Sequence, residues 1–158
     1  MSSPIKNAFI SHVHEDDAVL PELKDLLARN GYEIRDSSID SSKPNDAKNP
    51  EYIKSGILAP RIQWAGVVIV LISPETYTSP WVDWEIEYAA KQDKRIVGVF
   101  VRGGKDSDVP KNLEIYADAV VGWDAQSVID AITGKLNNWT CADGTVRAPR
   151  SMKRYSCG

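Results

Sequence analysis

The chain is poor in cysteine and histidine: its 158 residues include only two of each. Cys141 and Cys157 both lie near the end with no CxxC spacing, which disfavours a structural zinc site, and no metal is expected. A core that needs no disulfide fits a reducing compartment. No apolar run approaches the roughly 18 residues that a membrane span requires. The start, Met1-Ser2-Ser3-Pro4-Ile5-Lys6, lacks the apolar segment of a secretory signal. These absences predict a cytoplasmic protein with no membrane partner. Long basic runs are also missing and the net charge is −3, which argues against a nucleic-acid partner. The tail cluster Arg147, Arg150, Lys153 and Arg154 reads as a solvated end. Familiar site motifs are absent too. There is no GxGxxG after the first strand pattern, no GxxxxGK[ST] phosphate loop and no GxSxG elbow.

What remains is ordinary globular material. Apolar residues make up 42% and charged residues 26%, and the length suits one domain with a real core. Ala8-Phe9-Ile10-Ser11 reads as a first strand, followed by a polar, acidic break at His12 to Asp17. Val19, Leu20, Leu23, Leu26 and Leu27 recur at helical spacing, and Asn30-Gly31 ends that helix. Tyr32-Glu33-Ile34 alternates as a short edge strand. Residues 36 to 50 are rich in Ser, Asp, Asn, Lys and Pro, a loop of about 15 residues of the kind that often carries function. It reads equally as a ligand lid or contact loop and as a plain connector.

A second helix is expected from about Pro50, with Ile53, Ile57, Leu58, Ile62 and Ala65 as its stripe, weakened by Gly56 and Pro60. Gly66 to Ile72 is a β-branched apolar run that suits a central parallel strand covered on both faces. Ser79-Pro80 opens a third helix, with Ser79 as cap and Pro80 in its first turn, ending near Gln92. Arg95 to Val101 is another buried strand. Asn112 to Tyr116 forms a helical turn, Ala119 to Trp123 a last strand, and Asp124 starts a final helix with Val128, Ile129, Ile132 and Leu136 on its apolar face.

Strands alternating with helices predict an α/β fold: a flavodoxin-like three-layer sandwich with helices on both faces of a five-stranded, mainly parallel sheet, order 2-1-3-4-5. Residues 1–138 form this domain, and residues 139–158 read as an irregular tail packed across it through Trp139 or Tyr155. In that strand order the loops after Ser11 and Ile72 flank one crevice at the carboxyl edge.

Glu85 stands out beside that crevice. It lies one turn after Trp81, so the two share a helix face that Tyr88 continues, while Val82, Ile86 and Ala89 form the core stripe. A carboxylate near an indole in a cleft can stabilise a developing oxocarbenium-like cation. The plainer reading is a surface glutamate favoured by the positive end of a helix. His12 and His14 read as loop residues that meet polar ligand groups or solvent, since no further metal ligands accompany them. Phe9 reads as core or as a wall of the crevice.

Phe9-Ile10-Ser11-His12, the break at His14-Glu15-Asp16-Asp17, and Ser79-Pro80-Trp81-Val82-Asp83-Trp84-Glu85-Ile86 together resemble the TIR (Toll/interleukin-1 receptor) domain. The fuller strings Ala65 to Thr76 and Ser79 to Ala89 resemble the prokaryotic subgroup that includes the TIR proteins of Thoeris anti-phage defence systems. The likeness covers residues 5 to 136. It implies a flavodoxin-like fold and, in enzymatic members, cleavage of the nicotinamide–ribose bond of NAD, which is substrate and not cofactor. It implies Glu85 as the catalytic residue, with Phe9, Ser11, His12 and Trp81 binding the substrate. It further implies a diffusible, ADP-ribose-derived cyclic signal read by a separate effector, a phage-derived trigger protein, and a homo-oligomer. The loop after Arg35-Asp36 matches the family's gating and assembly loop, although Lys43-Pro44-Asn45-Asp46 stands where Pro-Gly is usual. The alternative is a non-enzymatic TIR adaptor that acts by assembly.

Overall fold

The computed structural model describes residues 5–147, except 14–15, 17, 37–57, 75, 102–103, 138 and 141–145. The first strand, β1, spans Ile5–Ser11, and the helix α1 spans Val19–Arg29. Then come β2 (Glu33–Asp36), α2 (Ala59–Trp64), β3 (Val67–Ile72) and α3 (Pro80–Lys91). The chain continues through β4 (Arg95–Phe100), α4 (Lys111–Tyr116), β5 (Ala119–Val121) and α5 (Ala125–Thr133). Two short strands follow, β6 (Trp139–Thr140) and β7 (Val146–Arg147).

The sheet order is β2-β1-β3-β4-β5-β6-β7. Its first five strands stand in the 2-1-3-4-5 order expected, and every pairing among them is parallel. Of the tail read at residues 139–158, only 139–140 and 146–147 are described, and these form short strands. Trp139 pairs with Val120 in parallel, and β7 returns antiparallel to β6. The reason is apolar area: Trp139 is 3% exposed and belongs to the apolar layer that also holds Val120 and Leu113, so burying it draws the chain onto the free edge of β5. Strands of two residues carry no period for a sequence to display. Cys141, Cys157 and Tyr155 lie outside the described residues, as does the 37–57 segment.

Alternation within the strands divides the core. Ala8, Ile10, Ile69, Leu71, Val97 and Val99 face one layer with Leu20, Leu23 and Leu27 of α1 and Val128, Ala131 and Ile132 of α5. Phe9, Val68, Val70, Ile72 and Ile96 face the other, against Ile62 of α2, Val82, Ile86 and Ala89 of α3 and Leu113 of α4. Every side chain of β3 is buried, as a strand covered on both faces requires. Each large aliphatic side chain so buried contributes about 1.5–3 kcal/mol relative to exposure.

The ends of the helices follow local chemistry. Ser79 Oγ accepts from the Val82 amide at 3.2 Å, and Asp124 Oδ2 accepts from the Ser127 amide at 2.9 Å. Pro60 sits in the first turn of α2, where its missing amide hydrogen costs nothing. Among the described residues no helix is long and apolar enough to cross a membrane.

The loop after β4 lies tightly against β3. The Val101 amide donates to Ile72 O at 3.0 Å and the Gly104 amide to Val101 O at 2.8 Å. A Cβ on Gly104 would meet Ile72 O at 2.4 Å, and backbone cannot swing away as a flexible side chain can. Gly104→Ala should therefore lower stability by roughly 1–3 kcal/mol in urea denaturation; an unchanged midpoint would mean that this loop shifts freely.

Candidate functional site

Ser11 is the last residue of β1 and alternates with Ile10, so it points to the same side of the sheet as Phe9 and α3. Glu85 lies on α3 at three residues from Val82 and four from Ala89, both fully buried. Helical geometry therefore sets it at the margin of the core stripe, and it is 7% exposed. Trp81, one turn earlier on the same side of α3, is 37% exposed, so the two residues differ in burial. The spacing 82, 85, 86, 89 was a visible sign of a buried position. A glutamate within it reads as an intruder in the pattern.

The Ser11 hydroxyl donates to Glu85 Oε1 at 2.6 Å, across 74 residues of sequence. Burial disfavours the charged carboxylate and pushes the Glu85 pKa from 4.5 up to about 8, while the Ser11 hydrogen bond pulls it back down. The carboxyl group can therefore hold or release a proton near neutral pH.

The other expected site residues spread around this pair. Phe9 is 1% exposed and sits inside the apolar layer with Val82 and Ile86, the core alternative of its two readings. The half-buried His12 ring has Nδ1 2.9 Å from Ile10 O, which fixes the ring against its own strand. Trp81 stands at the exposed start of α3. Trp84 and Tyr88 stack at 5.1 Å between ring centroids, and Gln63 Nε2 donates to the Tyr88 hydroxyl at 2.5 Å. His14 lies outside the described residues.

Asp16 escaped the sequence reading, which treated it as one of several acidic residues before a helix. It is 6% exposed, and its Oδ2 accepts from the Ser73 hydroxyl at the end of β3. It also lines a groove of about 780 Å³ that runs between α1 and the carboxyl ends of β4 and β5, past Phe100 and Trp123. Ser11 and Glu85 lie on the opposite, α3 side of the sheet and do not line that groove. No sequence signal distinguishes Asp16 from its neighbours, because its partner is 57 residues away.

This arrangement defines a class: an α/β domain of TIR-like fold with a buried carboxyl group at the carboxyl edge of its sheet. Solved structures of similar fold include the TIR domain of a Toll-related receptor from Hydra magnipapillata, at 17% identity and TM-score 0.51, covering 81% of this chain and 92% of that one. A CMP N-glycosidase from Clostridium botulinum is similar at 14% identity and TM-score 0.50, covering 78% and 98%. A conserved protein from Enterococcus faecalis aligns at 10% identity and TM-score 0.50, covering 84% and 100%. No curated protein matches the sequence significantly. The family model of the Thoeris protein ThsB TIR-like domain matches residues 9–106, more than half of the chain, and the protein belongs to that family.

The proton on Glu85 has a consequence for stability. The unfolded chain releases it near 4.5, and the folded protein holds it up to about 8. The folded state thus binds more protons across that window, so stability falls as pH rises through it. Glu85→Gln carries no charge to desolvate. Thermal melts should show a variant whose stability changes less over this window and exceeds that of the native protein above pH 8.

Proposed function

We propose that this chain is an NAD-consuming enzyme that breaks the nicotinamide–ribose bond, with Glu85 as its catalytic residue. The observation that carries the reading is the buried Glu85 carboxyl group, bonded to Ser11 at the carboxyl end of β1. Membership in the Thoeris ThsB TIR-like family supports it. So does the chemistry of the Clostridium botulinum neighbour, a CMP N-glycosidase, which also breaks a bond between a sugar and a nitrogen heterocycle.

NAD carries a fixed positive charge on its nicotinamide ring, and departure of that ring leaves positive charge on the ribose. A carboxylate in a poorly solvated site stabilises such a cation far more than one in water. Below pH 8 the resting Glu85 holds its proton for most of the time. A bound cation favours the ionised form, so NAD binding releases a proton from Glu85, and Ser11 then donates to the resulting anion. His12 and Trp81 would line the substrate on the strand and helix sides, with Phe9 buried behind them in the core. Water as acceptor yields ADP-ribose, and an acceptor within the same molecule yields a cyclic isomer.

The cyclic product suits a signal, which a separate effector would read in the cytoplasm once a phage-derived protein triggers the enzyme. Homo-oligomers would form in the active state. The adaptor reading draws support from the exposed Trp64, Ile115 and Tyr116 on the α2 and α4 surface. It leaves the buried carboxyl group of Glu85 without a use, and burial of an ionisable group is costly.

Purified protein incubated with NAD, with and without infected-cell extract, should release nicotinamide, and nucleotide mass spectrometry should find the second product. Glu85→Gln should lower turnover at least ~100-fold, in keeping with loss of a charge-stabilising group; equal turnover would sink the assignment. Ser11→Ala removes the bond that favours the carboxylate. Its activity–pH profile should shift to higher pH, with roughly tenfold less activity near neutrality, the worth of one hydrogen bond to a charged group.

A further inference from the structure

Two ties join the same two segments of the chain at the carboxyl edge. Ser11, at the end of β1, holds Glu85 on α3. Asp16, five residues further along from Ser11, holds Ser73, the residue that follows β3. The second tie has no place in the reaction described above, yet it is expensive to build. A buried carboxylate loses several kcal/mol of solvation unless hydrogen bonds replace water.

The hydroxyl protons around it are fully committed. Ser73 Oγ donates to Asp16 Oδ2, and Thr76 Oγ1 donates to Leu71 O at 3.0 Å. Thr76 Oγ1 in turn accepts from the Ser73 amide at 2.8 Å. From there an ordered path leads to Glu85. The Ser79 amide donates to Thr76 O at 3.2 Å, and Ser79 Oγ caps α3 through the Val82 amide. Glu85 stands three residues beyond Val82 on that helix.

We propose that Asp16 is a positioning residue that fixes the start of α3 against β1, and so sets Glu85 at hydrogen-bonding distance from Ser11. The idea rests on the NAD-cleaving reading only for its kinetic consequences. Without the Asp16 carboxylate, Ser73 Oγ can turn its proton to Thr76 Oγ1, 3.2 Å away. Ser73 is then still satisfied, and the turn after β3 keeps its internal bonds. What is lost is the link between the β1–α1 loop and the turn that leads into α3. The expected defect is misplacement of Glu85 relative to Ser11, and misplacement on the scale of 1 Å can cost about 100-fold in rate.

The experiment has a structural and a kinetic arm. In protein labelled with carboxyl ¹³C glutamate, the Glu85 resonance is identified by its disappearance in Glu85→Gln. At one fixed pH, that resonance should move in Asp16→Ala and in Ser73→Ala, which cut the tie from opposite ends. It should stay in place in Asp16→Asn, whose side-chain oxygen still accepts from Ser73. In NAD turnover, Asp16→Ala and Ser73→Ala should lower kcat by roughly 10- to 100-fold with KM within about threefold, and Asp16→Asn should recover most of kcat. An unmoved Glu85 resonance in a folded Asp16→Ala or Ser73→Ala variant overturns the proposal. Unfolding of both variants overturns it as well, since the tie would then belong to the fold and not to the site. If the native protein shows no NAD turnover under any trigger, the NAD reading fails while the resonance arm still decides the role of Asp16.

Discussion

Strand β3 contributes six side chains in a row, all buried, and they alternate between the two helical layers. The rest of the domain depends on that double burial. Such a strand is stable only where helices cover both faces, so α1 and α5 must occupy one side and α2, α3 and α4 the other. Parallel neighbours on each side then bring the carboxyl ends of β1, β3 and β4 to one edge. The loops that leave this edge carry polar groups out of an apolar core. Those groups must be paired with one another or bear the full cost of lost hydration.

The pairing found there gives the edge its character. Among the described residues no buried side-chain polar atom is left without a partner. Glu85 bonds with Ser11, Asp16 with Ser73, and Thr76 bridges Ser73 and Leu71. Each bond is modest in net worth, about 1 kcal/mol for neutral groups and more for charged ones. Their joint effect is directional: they hold α3 in one rotation and one height relative to β1. Glu85 still titrates abnormally because a single hydroxyl donor does not replace the water that burial removes. A carboxyl group kept near its point of ionisation by this imbalance suits charge that develops during bond cleavage.

Much of this architecture was legible from local patterns. Helices α1, α3 and α5 announced themselves by apolar period and by caps at Asn30, Ser79 and Asp124. β3 and β4 were legible as β-branched runs, and the block around Glu85 carried a specific family likeness. Other features were opaque. β6 and β7 are two residues each, too short for periodicity, and they exist because Trp139 and the open edge of β5 need cover. Glu85 was only half legible, since it falls beside the buried spacing of Val82, Ile86 and Ala89 and also one turn from the exposed Trp81. Its actual burial depends on how α3 is rolled against the sheet, and Val82, Ile86 and Ala89 decide that roll together.

The sequence by itself determined the order of the elements, the helix caps, the doubly buried central strand and the candidate glutamate. The first three are written in spacing along a few neighbouring residues, and the glutamate in a motif whose family likeness singles it out. Tertiary structure alone decided that Ser11 would meet Glu85 across 74 residues and that Asp16 would meet Ser73 across 57. It also decided how tightly Glu85 holds its proton. Proton affinity follows from the solvent and charges around a group in space, and those are supplied by segments that the chain brings together only when it folds.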